Sequence, residues 1–365
     1  MFFDDIPKPI VALSPMDGVT DAPFRFVVNK YGAPDITFTE FVHVMGIIHG
    51  SDRLWQDFIF SEQERPVVAQ LFGAEPEYFY HASKIVCELG FDGVDINMGC
   101  PMRSVTDHGA GAALINTPDL AQQIIREVKR GVKDWYETGE LTGISEDISQ
   151  RIRGMQEARR RRAELSGIAY KLYAAGEERS LLPVSVKTRI GYKEVVVEDW
   201  MKTLTEVEPD WISVHGRTLK QMYTGKADWE ALARGRRATH LPFLANGDVR
   251  TFGDIKNILQ VVGADGVLIG KGSYGNPWVF KNLDKLKTAL AANTELPEMY
   301  LASADEKKQV MLEHVKLHVS LKGEGAFVQT RKHMGWYMNG FPGAAELRKQ
   351  LMQTNAAREV EAIVG

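Results

Sequence analysis

The chain contains few cysteines and no long apolar stretch. Two cysteines, Cys87 and Cys100, among 365 residues are too few for a disulfide framework or a zinc site built on cysteine. No window offers the roughly 18 consecutive apolar residues that a membrane span needs, and the N-terminus lacks the basic and apolar regions of a signal peptide. These absences predict a cytoplasmic protein without a membrane segment, a metal site or an evident obligate protein partner.

Positive charge is also scarce, because the formal net charge is −4. A chain with this balance has no general attraction to nucleic acid. Any polyanionic partner must therefore be held by a local patch of basic residues.

Short apolar runs are abundant, and each ends in glycine or in polar residues. They span residues 9–16, 35–40, 66–73, 93–100, 183–191, 211–218, 242–249 and 266–272. Most are rich in Val, Ile and Leu without alternation, which is typical of strands buried on both faces. The segments between them include 76–89 and 118–130, which begin with proline and carry helical apolar spacing.

Eight strands that alternate with helices predict a (β/α)8 TIM barrel. A doubly wound open sheet is the alternative, but no G-x-G-x-x-G sequence follows the first run. We assign residues 1–295 to the barrel domain and residues 296–365, where apolar residues recur at helical spacing, to a small helical domain.

Residues 131–182 interrupt the alternation with a charged, helix-forming insertion. Its arginine run, Arg159 to Arg162, has two interpretations. The run is either a solvated helix face or a contact for a phosphate backbone.

Polar side chains follow almost every predicted strand. They are Asp17, Gln70, Asn97, Cys100, Lys187, Arg189, His215, Arg217, Asn246, Asp248 and Lys271. Because barrel enzymes build their sites at the carboxyl ends of the strands, this distribution predicts an active site there.

The loops after the seventh and eighth strands are rich in glycine. Gly247, Gly270 and Gly272 would present backbone amides to an anion, and Lys271 would add charge. This is the usual phosphate position of TIM barrels. The alternative is that these glycines only permit tight turns.

Lys187 and His215 end neighbouring strands. A lysine and a histidine at the barrel mouth would stabilise the negative charge of a reduced flavin, and Gln70 could hydrogen-bond the pyrimidine edge of the same ring. For each residue alone, a solvated lysine or a core histidine remains the alternative.

Cys100 lies between Gly99 and Pro101, just after the fourth strand. A thiol with an ordinary pKa donates a proton at neutral pH and is then reprotonated. Cys100 is therefore a candidate proton donor to a carbon atom, with a structural role as the alternative. Cys87 lies within a predicted helix and is assigned to packing.

Seven motifs occur in register. They are PMDGVTDAPFR (15–25), NMGCPMRSV (97–105), VKTRIGY (186–192), VHGRT (214–218), ANGDV (245–249), GNPWVF (275–280) and RKHMGWY (331–337). In these motifs the chain resembles the flavin-dependent tRNA-dihydrouridine synthases from about residue 10 to 350, and its tail motif is similar to the bacterial B-type branch. The 131–182 insertion has no counterpart, and Lys271 stands where the family commonly has arginine.

The resemblance implies FMN as cofactor, NADPH as reductant and tRNA as substrate. By position, it implies that FMN is bound by Pro15, Met16, Gln70, Lys187, His215, Asn246, Asp248, Gly270 and Lys271. It implies that Cys100 protonates uracil C5 while hydride reaches C6, and that Asn97 and Arg189 surround the base. In the tail, Arg331 and Lys332, next to Trp336 and Tyr337, are the expected RNA contacts. The alternative for this segment is an amphipathic helix that docks on the barrel.

Two other functions are compatible with the same motifs. One is a flavin barrel oxidoreductase that acts on a free pyrimidine, which would not need the helical tail. The other is an RNA-binding protein without catalysis, which would not need Cys100, Lys187 and His215.

Overall fold

The computed structural model describes residues 2–50, 52–171, 179–222 and 224–365. Its centre is a closed barrel of eight parallel strands in sequential order. The barrel closes between β1 and β8, where Ile10 pairs with Gly266 and Leu13 with Ile269. The predicted (β/α)8 barrel is therefore confirmed, and the open doubly wound sheet is wrong. The strands are β1 Ile10–Leu13, β2 Thr37–His43, β3 Val67–Phe72, β4 Gly93–Met98, β5 Val184–Arg189, β6 Trp211–His215, β7 Phe243–Asn246 and β8 Gly266–Ile269.

Helices cover the outside of the barrel and form the C-terminal region. They are α1 Phe2–Asp5, α2 Ala22–Tyr31, α3 Val44–Ile48, α4 Asp52–Trp55, α5 Pro76–Leu89, α6 Arg103–Thr106, α7 Pro118–Thr138, α8 Glu146–Leu165, α9 Val197–Thr205, α10 Trp229–Arg237, α11 Phe252–Val262, α12 Leu283–Ala292, α13 Ala304–Lys322, α14 Arg331–Tyr337, α15 Ala344–Leu351 and α16 Ala357–Val364. Short 3₁₀ turns lie at Gln56–Phe58, Glu62–Glu64, Gly111–Asn116, Lys271–Ser273, Pro277–Phe280 and Glu324–Thr330.

The helix predicted at 76–89 is confirmed as α5, with proline in its first turn and Gly90 in the left-handed region at its end. The helix predicted at 118–130 is too short. α7 continues to Thr138 because Val132 and Trp135 extend its buried stripe before Gly139 ends it. The first residues of the predicted insertion therefore belong to a barrel helix.

The insertion contributes α8, which packs at the amino-terminal end of the strands. Arg159 is 4% exposed. Its guanidinium lies 3.0 Å from the carboxylate of Glu62, which precedes β3. It also donates a hydrogen bond at 2.5 Å to the carbonyl of Leu89, which precedes β4. The phosphate interpretation is therefore wrong for Arg159. Arg160 and Arg161 are exposed and pair with Glu157 on their own helix, as a solvated face does. Residues 172–178 of the insertion lie outside the described part of the chain.

The C-terminal helices share their core with the barrel. Met311, Phe327 and Met334 pack in one apolar cluster with Val27 of α2 and Trp278 beyond β8. Polar contacts join the same elements, since Asp21, which caps α2, lies 2.8 Å from the Lys322 ammonium at the end of α13. The predicted helical C-terminal region is confirmed, and it is fixed beside the loops that follow β8 and β1.

Candidate active site

A cleft of about 1070 Å³ opens at the carboxyl ends of the strands. Most of the predicted site residues line it: Pro15, Met16, Asn97, Cys100, Lys187, Arg189, His215, Asn246, Asp248, Gly270 and Lys271. The strand-end pattern thus identified one continuous cavity. With Phe41 of β2, residues from seven of the eight strand ends meet there, because parallel strands in a closed barrel place all their carboxyl ends on one face.

The loop after β4 holds Cys100 in a fixed position. The side-chain oxygen of Asn97 accepts hydrogen bonds from the backbone N–H of Gly99 at 3.0 Å and of Cys100 at 2.9 Å. The Cys100 carbonyl in turn accepts from the N–H of Ala112 at 3.1 Å. These contacts place the thiol at the wall of the cleft, 7% exposed.

The thiol of Cys100 is protonated at neutral pH. Burial raises the pKa of Cys100, while the N–H of Met102 and the charges of Arg189 and Lys187 act to lower it. A group in this state holds a proton for donation. The same N–H and cations would stabilise the thiolate that remains after the proton leaves.

Glycine is required at position 111, where φ is +60°. A Cβ there would lie 2.9 Å from the Cys100 carbonyl oxygen and 2.8 Å from a methyl of Val105. We expect Gly111→Ala to lower the free energy of unfolding by about 2–4 kcal/mol, from backbone strain plus overpacking, and to speed the reaction of Cys100 with thiol reagents. Denaturant titration and thiol modification measure the two effects.

Gly109→Ala is the matched control for this substitution. Gly109 also has a left-handed φ, +75°, but the nearest atom to its Cβ would be 3.9 Å away. It should lose only about 1 kcal/mol from strain and leave Cys100 reactivity unchanged. Equal losses in both variants would contradict the steric account.

Behind Asn97 lies a buried polar network that centres on Asp95. The amide of Gln70 donates to the Asp95 carboxylate at 2.6 Å and accepts from Asn97 at 2.9 Å, and the Ser185 hydroxyl donates to Asp95 at 2.5 Å. Burial raises the pKa of Asp95 to about 6, against the opposing effect of these hydrogen bonds and of Lys187. The structure therefore places Gln70, which is fully buried, as the support of Asn97 rather than on the cleft wall.

Several cations lie together around His215 in the cleft, which Asp and Glu residues also line. Burial lowers the pKa of Lys187 to about 8, and the nearby charge of Arg189 adds to the effect. Burial also lowers the pKa of His215 well below its usual value, so the imidazole is neutral at pH 7. Four cations contribute to that shift: Arg189, Lys187, Arg217 and Lys271. Such a cleft is suited to an anionic ligand.

Arg217 is a site residue to which the sequence interpretation gave no role. Its guanidinium donates to both carboxylate oxygens of Asp248 at 2.8 Å and lies 3.4 Å from the imidazole of His215. Although burial acts in the opposite direction, the Ala227 N–H and Arg217 hold the pKa of Asp248 below its usual value. The carboxylate of Asp248 thus faces Arg217 and also lines the cleft, and the FMN contact that the resemblance implies for it stays a prediction.

The glycine-rich loops after β7 and β8 bring the backbone close to the cleft. A Cβ at Gly270 would lie 3.2 Å from the sulfur of Met16, so the loops after β1 and β8 approach each other there. Asn246, the last residue of β7, donates to the Leu268 carbonyl of β8 at 2.8 Å and joins the ends of these two strands. A short helical turn begins at Lys271. Phosphate groups in proteins are bound by the backbone N–H groups of glycine-rich loops, by the start of a helical turn and by lysine. All three are present here, so these residues fit a phosphate group.

Arg189 holds the cleft wall together. Its guanidinium donates to the carbonyls of Gly99 at 2.6 Å and of Thr218 at 3.3 Å. Because Gly99 follows β4 and Thr218 follows β6, Arg189 bridges the two loops on either side of its own strand. It is 4% exposed and still lines the cleft.

The basic and aromatic tail segment is more buried than the sequence interpretation assumed. Tyr337 and His333 are 1% and 2% exposed, so these two side chains face the core, as the alternative of a docked amphipathic helix predicts. Trp336 stacks on Tyr274 with ring centroids 3.9 Å apart. Arg331 donates to the Thr354 carbonyl at 3.0 Å, while exposed Lys332 contacts the carbonyl of Gly18 in the loop after β1. The motif therefore attaches the helical region to the cleft.

The described residues contain no helix long and apolar enough to cross a membrane. Within the same residues, no group of three or more His, Cys, Asp or Glu side chains converges as a metal site.

A closed barrel with a cation-rich cleft and a buried thiol at its mouth defines a TIM-barrel enzyme. The profile of the family described as dihydrouridine synthase (Dus) matches residues 11–150 and 168–364. The expectation that the whole 131–182 insertion has no counterpart is therefore wrong, because only residues 151–167 of it lie outside the match. The chain belongs to the dihydrouridine synthase family.

Curated relatives match over the whole chain. The probable tRNA-dihydrouridine synthase of Staphylococcus aureus (strain COL) is 31% identical over 377 residues, which cover 100% of this chain and 94% of the relative. The probable tRNA-dihydrouridine synthase 2 of Bacillus subtilis (strain 168) is 30% identical, with 100% and 95% covered. Among solved structures, the old yellow enzyme homologue from Zymomonas mobilis matches with a TM-score of 0.45 and 14% sequence identity. The match covers 80% of this chain and 91% of that chain. This likeness is too distant to bear on function.

Proposed function

We propose that this protein is a flavin-dependent tRNA-dihydrouridine synthase, which reduces the C5=C6 bond of uridines in tRNA. The observation that carries the proposal is the buried thiol of Cys100 at the wall of a cleft that Lys187, Arg189 and Lys271 also line. The family match supports it, and it continues to residue 364 and so includes the helical region. An enzyme for a free pyrimidine has no need of that region.

The residues of the cleft divide between cofactor and substrate. Pro15, Met16, Lys187 and His215 would surround the flavin ring, supported from behind by Gln70. Asn246, Gly270 and Lys271 would hold the FMN phosphate, with Asp248 orienting Arg217 beside it. When bound, the flavin supplies hydride to uracil C6. Lys187, charged at neutral pH, would stabilise negative charge at the pyrimidine end of the ring.

Cys100 would complete the reduction. Addition of hydride at C6 breaks the C5=C6 double bond and leaves the electron pair on C5, conjugated with the C4 carbonyl. The Cys100 thiol gives its proton to C5, and the thiolate recovers a proton from water. Asn97 and Arg189 would fix the base, and Arg331 and Lys332 would contact the tRNA backbone. NADPH is the proposed reductant and the cytoplasm the proposed location.

The proposed function can be tested by following the absorbance spectrum of the flavin. Purified protein should be yellow, NADPH should bleach it without oxygen, and tRNA that lacks dihydrouridine should restore the oxidised spectrum. Fully modified tRNA should restore it much more slowly. Protein without flavin absorbance, or with equal reoxidation by both tRNAs, would contradict the proposal.

The charge of Lys187 predicts a pH dependence of cofactor binding. Because the pKa of Lys187 is about 8, its ammonium is present below pH 8 and is lost above it. We expect the affinity of the apoprotein for FMN to fall as pH rises from 7 to 9. Lys187→Met should weaken binding about tenfold at pH 7 by removing a charged hydrogen-bond donor, and should flatten this fall. Titration of apoprotein with FMN measures both effects.

Lys285→Met is the control, since Lys285 is exposed on α12. It should leave the affinity and its pH profile unchanged. Wild-type FMN affinity in the Lys187 variant would show that this lysine does not face the cofactor.

A further inference from the structure

Exposed apolar side chains are concentrated on one side of the cleft mouth. Met102 is 44% exposed, Val195 39%, Val196 42% and Met222 46%. They make up four of the ten large apolar side chains that are exposed within the described residues. All four lie in the loops after β4, β5 and β6, and we call them the apolar rim.

The three loops that carry the rim are tied to one another. Arg189 bridges the first and the third, and the N–H of Leu219 and of Lys220 donate to the carbonyls of Gly191 and Tyr192 in the second. Met222 has a φ of +49°, and its backbone N–H donates to the Leu219 carbonyl at 2.8 Å. A methionine in this region of backbone space costs energy, so the turn that exposes Met222 is held by its surroundings.

Exposed cations accompany each part of the rim. Arg103 follows Met102, Lys193 lies two residues before Val195, and Lys220 lies two residues before Met222. Apolar side chains that contact bases, beside cations that contact phosphates, are the usual composition of a surface for unstacked nucleic acid.

The position of the rim indicates the same ligand. Met102 lines the cleft, so at this residue the rim meets the cavity that would receive the uridine. The helical region packs on α2 and on the loop after β8, across the barrel mouth from β4, β5 and β6. RNA that entered the cleft would therefore meet the helical region on one side and the rim on the other.

We propose that the apolar rim, chiefly Met102 and Met222, contacts the nucleobases that flank the target uridine and keeps them unstacked while that uridine occupies the cleft. This inference rests on the proposed function. Extruding a base from folded RNA requires its neighbours to separate, and thioether side chains replace part of the stacking that the neighbours lose.

The test compares two double variants. M102S/M222S removes the apolar contact, and M102L/M222L keeps it. With tRNA that lacks dihydrouridine, the serine variant should raise KM about tenfold. The leucine variant should stay within about twofold of wild type. Flavin content and the rate of flavin reduction by NADPH without tRNA should be unchanged in both. L165S, which alters an exposed leucine at the end of α8, is the surface control.

Wild-type KM in M102S/M222S would overturn the inference, and so would equal losses in the serine and leucine variants. If wild-type protein forms no dihydrouridine, the proposed function fails before any variant is compared. In that case direct binding of the tRNA to the same variants still tests the rim, with the same ordering of affinities expected.

Discussion

Replacing Cys100 with alanine is expected to slow uridine reduction by about 10²–10⁴-fold, the usual loss when a positioned proton donor is removed. The thiol is buried and protonated, and its loop is held by Asn97 and Ala112. Alanine fills most of the same space, so the loop should keep its shape. The substitution removes the proton for C5 and leaves the proposed flavin contacts intact.

Single-turnover kinetics measure this effect most cleanly. Reduced Cys100→Ala enzyme is mixed with tRNA lacking dihydrouridine, and the return of oxidised flavin is followed. Cys87→Ala is the control, because Cys87 is buried on α5 and burial raises the pKa of its thiol far above neutrality. It should reduce tRNA at nearly the wild-type rate. Wild-type turnover in Cys100→Ala, or loss of its flavin, would refute the proton-donor role.

Replacing Arg25 with methionine is expected to lower the free energy of unfolding by about 3–5 kcal/mol. Arg25 is fully buried and donates to the Glu64 carboxylate at 2.7 Å and to the carbonyls of Thr20 at 2.7 Å and Ile59 at 2.5 Å. It therefore joins α2 to the loop after β1 and to the segment before β3. Methionine would leave the Glu64 charge buried without its cationic partner.

Lys30→Met on the same helix is the matched control. Lys30 pairs with Glu313 at 2.6 Å, but its side chain is 45% exposed, and an exposed pair contributes about 0–1 kcal/mol. The double variant R25M/E64L should recover part of the loss, because it removes the unpaired charge as well. Denaturant unfolding of the three variants measures the differences. Equal, small losses for Arg25 and Lys30 would contradict the account of the buried pair.

The barrel was predictable because strands buried on both faces leave continuous apolar runs, and their polar ends mark one face. The position of Cys100 at the cleft was predictable because it directly follows a buried apolar run and precedes Pro101, whose ring restricts the backbone. These features are local in sequence.

The features that the sequence did not reveal are contacts between residues far apart in the chain. Arg159 is buried because it meets Glu62, and Asp248 faces Arg217. The sequence around these four residues does not indicate either pairing. The burial of Tyr337 is a further example, because α14 directs this side chain into the core that the helical region shares with the barrel. One signal for Arg217 was present: it follows His215 by two residues at the same strand end.

Mass spectrometry of the RNA product tests the central claim most directly. tRNA that lacks dihydrouridine is incubated with flavin-loaded protein and NADPH, digested, and compared with the same tRNA treated with Cys100→Ala enzyme. We predict a gain of two hydrogens confined to uridine in the wild-type reaction and almost none with the variant in the same time. An unchanged tRNA mass with flavin-loaded wild-type protein would contradict the account.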